Sequence, residues 1–139
     1  MNLLPLAKND ITELLVIIIR FTQMRQKTLI DNIFNIHTPG FTPRDLMVRE
    51  FSLLLNRAIS EHTQNRRLLL CDTDTIRFGH DGSVHVDPLA DPNAKNLLQE
   101  NKEQYLRLQI DKLLENALNQ RIAAELLRTK QQPISMSEV

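Results

Sequence analysis

From Asn93 to Arg128 the chain runs without a glycine or a proline. Leu98, Leu106, Ile110, Leu113, Leu114, Ala117, Ile122 and Leu126 recur along it at helical spacing, which predicts one continuous helix. A helix of about 34 residues is on the order of 50 Å long. It has no way to bury an apolar stripe against itself. Each leucine is worth roughly 1.5–3 kcal/mol when removed from water, so the fold must supply a second long element to cover it. Leu106, Ile110, Leu113 and Ala117 follow steps of four, three and four, the seam of a coiled coil.

The partner is predicted at the other end of the chain. After a short leader over residues 1–9, Asn9 or Asp10 is a candidate helix cap. Apolar residues then continue at helical spacing from Ile11 to Ile36, through Leu14, Ile17, Ile18, Phe21, Met24, Leu29 and Ile33. The run from Val16 to Ile19 is β-branched and favours a strand by propensity, but the pattern continues past it without a breaker. Leu14, Ile18 and Phe21 are the predicted assembly seam on this helix, facing Leu106, Ile110, Leu113 and Ala117. Thr42-Pro43-Arg44-Asp45 reads as the start of a second helix, with Thr42 as cap and Pro43 in the first turn. Met47, Phe51, Leu54, Leu55, Ala58 and Ile59 mark its apolar face, and it ends near His62.

Residues 63–94 change character, with Asp, Thr, Gly, His and Pro concentrated there. Ile76, Phe78, Val84 and Val86 flank Asp81-Gly82, a hairpin signal. The predicted organisation is a helical part over 1–62, a poorly packed loop and hairpin insert over 63–94, and a helix with an unstructured tail over 95–139. Both ends form one domain. The predicted fold class is mainly α: long N- and C-terminal helices paired as a coiled-coil-like hairpin, a short second helix, and a small β-hairpin insert between.

Charge and composition narrow the function. Lys and Arg number 17 and so do Asp and Glu, giving zero net charge; nucleic-acid binding and attraction to anionic lipid lose their usual basis. The six apolar residues from Leu14 to Ile19 are far short of the roughly 20 that a membrane-spanning helix needs. No basic segment and small-residue cleavage pattern mark a signal peptide, so an extracytoplasmic destination requires another export route. Cys71 stands alone and reads as a half-buried filler.

Reaction chemistry finds little support. Asp72, Asp74, His80, Asp81, His85 and Asp87 are close in sequence, yet match no zinc spacing and read as a hydrophilic loop. Cys71 with His80 lacks a glycine-flanked nucleophile elbow. The three glycines stand apart, so no phosphate loop exists. Glu100 and Glu103 lack the Glu-x-x-His repeats of a di-iron bundle. The charged helix faces read as solvated, with local pairs such as Glu61 with Arg57. The expectation is a protein with no catalytic residues, metal, cofactor or small-molecule substrate.

One short stretch is more specific. Asn32-Ile33-x-Asn35-x-x-Thr38-Pro39-Gly40-Phe41 packs several helix-stop residues together. Pro39 disfavours helix at Thr38, Gly40 accepts positive φ, and Asn35 suits a left-handed helix end. The stretch resembles the N-terminal signature of the flagellar basal-body rod family, and Arg44-Asp45-Leu46 after it resembles that family's next step. Asp81-Gly82 with Val84 and Val86, and Glu100-Asn101-x-x-x-Tyr105-x-x-Leu108, resemble two later family segments in the same order. The match is best to the FlgB-type proximal rod proteins, with the FlgC type second. The resemblance implies a non-enzymatic structural subunit, exported by the flagellar type III apparatus without a cleaved signal. It implies assembly in the periplasmic rod with copies of itself and other basal-body proteins, through paired terminal helices. The alternative reading is a soluble helical adaptor or chaperone that binds a partner helix.

Overall fold

The computed structural model describes the backbone of residues 4–131 and the side chains of residues 10–130. In chain order the elements are α1 (Leu4–Phe34), β1 (Arg44–Asp45), α2 (Val48–Asn65), β2 (Ile76–Phe78), β3 (Val84–Val86), β4 (Leu89–Ala90), α3 (Pro92–Glu100) and α4 (Lys102–Gln131). The fold is mainly helical, with long N- and C-terminal helices packed together and small antiparallel sheets between them. Asn32 of α1 meets Gln109 of α4, while Thr22 meets Asn116, so the two long helices run antiparallel.

The β-branched run of α1 is helical. Leu14, Ile17, Phe21 and Leu29 are buried on one side of it, so tertiary packing overrides strand propensity. The helix starts earlier than its spacing predicts. Asn9 and Asp10 lie inside it rather than at its cap, and Pro5 occupies the first turn, where its missing N–H costs nothing. The expected unstructured tail falls on residues 132–139, outside those described.

Thr42-Pro43 does not open a helix. Residues Arg44 and Asp45 form β1, paired antiparallel with Ala90 and Leu89. The reason is tertiary: Arg44 N–H donates to Asn32 Oδ1 at 3.1 Å, its carbonyl accepts from Asn32 Nδ2 at 2.7 Å, and the Pro43 carbonyl accepts from Asp91 N–H. These partners satisfy an extended backbone that a helix would have used internally. Helix α2 begins at Val48 instead and runs past His62 to Asn65, where Arg66 takes the left-handed conformation at φ 60°. Phe51, Leu54 and Ala58 are its buried face, whereas Met47 and Ile59 are exposed.

The hairpin forms where Asp81-Gly82 places it, both residues with positive φ. It is not a poorly packed insert, however. Ile76 and Val86 are buried and join Ile17, Phe21, Leu46, Phe51 and Leu54 in the core. The Phe21 and Phe51 rings stack with centroids 3.8 Å apart. The tip sits on α1: Gly82 N–H donates to Glu13 Oε1, and a Cβ on Gly82 would stand 2.9 Å from Val16 Cγ1.

The long C-terminal helix is two helices. Asp91 caps α3, accepting from Ala94 N–H, with Pro92 at the first helical position. Asn101 is extended at φ −155° and ψ 95°, ends α3, and accepts from Gln104 N–H as the cap of α4. A capping asparagine with no glycine or proline nearby hides this break from a search for breakers.

Candidate assembly interface

At the end of α1 the signature residues form a compact stop. Asn35 Nδ2 donates to the Asp31 carbonyl and Asn35 Oδ1 accepts from Thr38 Oγ1. Asn35 is not left-handed; it acts through its side chain. Phe41 N–H donates to the Thr38 carbonyl, with Pro39 second and Gly40 third at φ 74°, the pattern of a type II turn. Asn32 is fully buried, Ile33, Asn35 and Phe41 are half-buried, and Thr38, Pro39 and Gly40 are exposed.

The seam between α1 and α4 lies one residue away from the predicted one. Tyr105, Gln109, Asn116 and Ala123 are buried, while Ile110 and Ala117 are exposed and Leu106 and Leu113 are only half-buried. On α1, Leu14 and Phe21 are buried as expected and Ile18 is half-buried. Much of the contact is polar. Tyr105 OH donates to the Asn32 carbonyl at 2.9 Å, Asn32 Nδ2 to Gln109 Oε1 at 2.9 Å, and Asn116 Nδ2 to the Thr22 carbonyl at 2.7 Å. Gln109 Nε2 is buried with no partner among the described residues.

At the centre sits a balanced quartet of charges. Arg25 forks onto Asp45 at 3.0 and 3.2 Å, and Lys112 Nζ donates to Asp45 at 3.0 Å and to Asp91 at 2.8 Å. Lys112 therefore ties α4 to β1 and to the cap of α3 in one point. It is not the solvated residue its place beside the predicted seam suggested. The sequence did carry a signal for this seam. Tyr105, Gln109, Lys112 and Asn116 are spaced four, three and four, and Thr22, Arg25, Leu29 and Asn32 three, four and three. Two polar rows at coiled-coil spacing face each other, a register device rather than an oily contact.

Electrostatics give the quartet two pH limits. Burial would raise the Asp45 carboxyl, but the hydrogen bond and charge of Arg25, then those of Lys112, outweigh it and hold it below its ordinary 3.8. Burial would lower the Lys112 ammonium, but the Asp91 and Asp45 carboxylates outweigh it and hold it above its ordinary 10.5. Burial and then the Asp91 charge push the Tyr105 hydroxyl up to about 12. A depressed carboxyl stabilises the fold above its unfolded pKa, and that contribution disappears as pH falls through the folded value. A raised ammonium stabilises below its unfolded pKa, and its contribution disappears as pH rises through the folded value. Thermal unfolding followed from acid to alkali is expected to show a plateau, an acid fall below about pH 4 and an alkaline fall above about pH 10, to which the raised Tyr105 hydroxyl and the raised Lys112 ammonium both contribute. Lys112→Met is expected to make the alkaline limb shallower without abolishing it; an unchanged limb would remove Lys112 as one of its sources.

The outer side of α4 is apolar. Ile110, Leu114, Leu118, Ile122 and Leu126, four residues apart, are 41–65% exposed. Near its C-terminal end, Ile122 joins Leu15, Ile18, Phe21, Phe51 and Leu55 around an open groove of about 330 Å³. This inverts the usual pattern, with polar groups inside the helix pair and leucines outside.

The remaining candidates stay dispersed. Among the described residues no three His, Cys, Asp or Glu side chains gather as metal ligands. His85 Nε2 pairs with Asp87 at 2.8 Å. Cys71 is half-buried against the core. Glu61 pairs with Arg67 at 2.8 Å and with Asn65, not with Arg57. Among the described residues no helix is long and apolar enough to cross a membrane. Comparison with protein-family models, with curated proteins and with solved structures found no match.

Proposed function

We propose that this chain is a structural subunit of the bacterial flagellar basal-body rod, assembling through the outer faces of its paired terminal helices. The observation that carries the reading is the motif Asn32-Ile33-x-Asn35-x-x-Thr38-Pro39-Gly40-Phe41, placed at the end of α1 where it stops the helix and turns the chain. The exposed ridge of α4 supports it, because a leucine row outside a completed helix pair suits burial by neighbours in an array. The proposed partners are copies of this chain and other rod proteins, and the proposed location is the periplasmic rod, reached by type III export.

The groove between α1, α2 and α4 favours the second reading, an adaptor that takes an amphipathic helix from a partner. Deletion separates the two. Loss of the rod reading's subunit removes the basal-body axial structure, and the protein is recovered in purified basal bodies; intact basal bodies in the deletion strain reject that reading.

Gly40 provides a finer test. Nothing lies within 4 Å of a Cβ at this position, so the cost of substitution comes from φ 74° alone. Gly40→Val is expected to destabilise by about 1–3 kcal/mol and to impair assembly, while Gly40→Asn, which tolerates this region, retains most of it. Motility and rod content in complemented deletion strains are the readout. Equal performance of the two variants would show that the turn has no special role.

A further inference from the structure

Three side chains on one face of α1 grip the tip of the hairpin. Glu13, Val16 and Arg20 follow one another at steps of three and four. Glu13 Oε1 accepts from Gly82 N–H at 3.2 Å, and Arg20 Nη1 donates to the Asp81 carbonyl at 3.3 Å. These two groups belong to the same peptide unit, so α1 holds that unit by both its donor and its acceptor. Val16 Cγ1 lies so close that a Cβ on Gly82 would meet it at 2.9 Å. The unit is the middle of a two-residue turn, closed by Ser83 N–H on the His80 carbonyl, with Asp81 at φ 56° and Gly82 at φ 75°. Asp81 itself is exposed, and its carboxyl makes no hydrogen bond or ion pair among the described residues. We infer that Asp81–Gly82 is a site of isoaspartate formation, and that docking of the tip on α1 controls the reaction.

The chain has one Asp-Gly pair and no Asn-Gly pair, since its three glycines follow Pro39, Phe78 and Asp81. A glycine after an aspartate leaves the main-chain nitrogen open to approach, because it carries no Cβ. With the Asp81 carboxyl in its acid form, the Gly82 nitrogen attacks Cγ. The N–Cγ bond forms, and the amide proton and the carboxyl OH leave as water. The five-membered succinimide then takes up one water. Attack at Cγ breaks the new bond and restores aspartate. Attack at the Asp81 main-chain carbonyl carbon breaks the original peptide bond and leaves the chain running through Cβ and Cγ. Water is lost and regained, and no other reagent is consumed. Ring closure requires the peptide unit to rotate toward the Asp81 side chain, out of its bonds to Glu13 and Arg20. The product carries an extra backbone carbon between Phe78 and Val84 and no longer matches a two-residue turn, so the tip does not reseat. The site therefore records time spent by the hairpin off α1, whatever the chain assembles into.

The full chain is kept for weeks at neutral pH and body temperature. Isoaspartate is read by methyl transfer from S-adenosylmethionine with an isoaspartyl methyltransferase, and located by peptide mapping. The signal is expected at Asp81, and about a hundredfold slower in the folded chain than in guanidinium chloride, because the folded tip must open first. Glu13→Ala is expected to speed it about tenfold in the folded chain with helix content unchanged, since it removes a hydrogen bond to a charged group. Glu13→Gln keeps an amide oxygen for Gly82 and is expected to restore much of the protection. Gly40→Val strains a turn at the far end of α1 and is expected to leave the rate unchanged. Equal rates in the folded and denatured chains overturn the inference. So does a Glu13→Ala rate no higher than the parent's; a lower one would make Glu13 a base that assists the attack. An equal gain in Gly40→Val overturns it too, because the site would then open by general unfolding rather than by release from α1.

Discussion

Lys112→Asp is expected to lower the unfolding free energy by about 3–5 kcal/mol. The substitution places a third carboxylate beside Asp45 and Asp91, with Arg25 the one remaining cation of the quartet. The reversal removes the cation that touches both Asp45 and Asp91 and adds a like charge on the same side of α4, in a half-buried site. A domain of this size is stable by about 5–15 kcal/mol, so the loss takes a large share and leaves a measurable unfolded fraction. Lys112→Met keeps the stem and removes the charge; Arg25 still holds Asp45, and the Asp91 side chain still caps α3. Its cost is expected to be less than half that of the reversal. Urea unfolding of the two variants decides the matter, and equal, small effects would mean that Lys112 is solvated.

Asn32→Ala is expected to cost about 3–4 kcal/mol. One side chain here serves both polar groups of the Arg44 backbone and the Gln109 amide oxygen. Deleting it orphans the part-buried N–H and carbonyl of Arg44 and the buried Gln109 Oε1, each worth up to about 1–3 kcal/mol where water stays out. Gln109→Met gives the contrast. It loses one hydrogen bond but also removes the unpartnered Nε2, so its cost stays within about 1 kcal/mol. If Gln109→Met proves as damaging as Asn32→Ala, the anchor is Gln109 and not the link to β1.

The helices were readable because their apolar residues recur over many turns, and tertiary packing kept that period in α1 and α4. Pro39, Gly40, Asp81 and Gly82 were readable for a different reason: each occupies a turn that its own backbone preferences favour. What misled was the assumption that the most apolar row of a helix faces inward. In α4 the inward row is Tyr105, Gln109, Lys112 and Asn116, and the most apolar row faces out. Thr42-Pro43 misled because its local chemistry is that of a helix start, while its hydrogen-bond partners, Asn32 and Asp91, arrive from distant parts of the chain.

The pairing of the two chain ends also orders events in time. Asn32 and Gln109 are separated by 77 residues, and the Thr22 carbonyl and Asn116 by 94. On the ribosome α1 emerges before its partner α4. Closing so long a loop comes before any reward from the contact, which slows folding relative to a bundle of sequence neighbours. The hairpin tip and α2, nearer in sequence, are expected to dock on α1 first, leaving the polar groups of Thr22, Arg25 and Asn32 in water until α4 arrives. A chain halted after residue 101 is therefore expected to expose the α4-facing side of α1 to protease, and one halted after residue 131 to protect it, so that α1 is sealed only once α4 has been made.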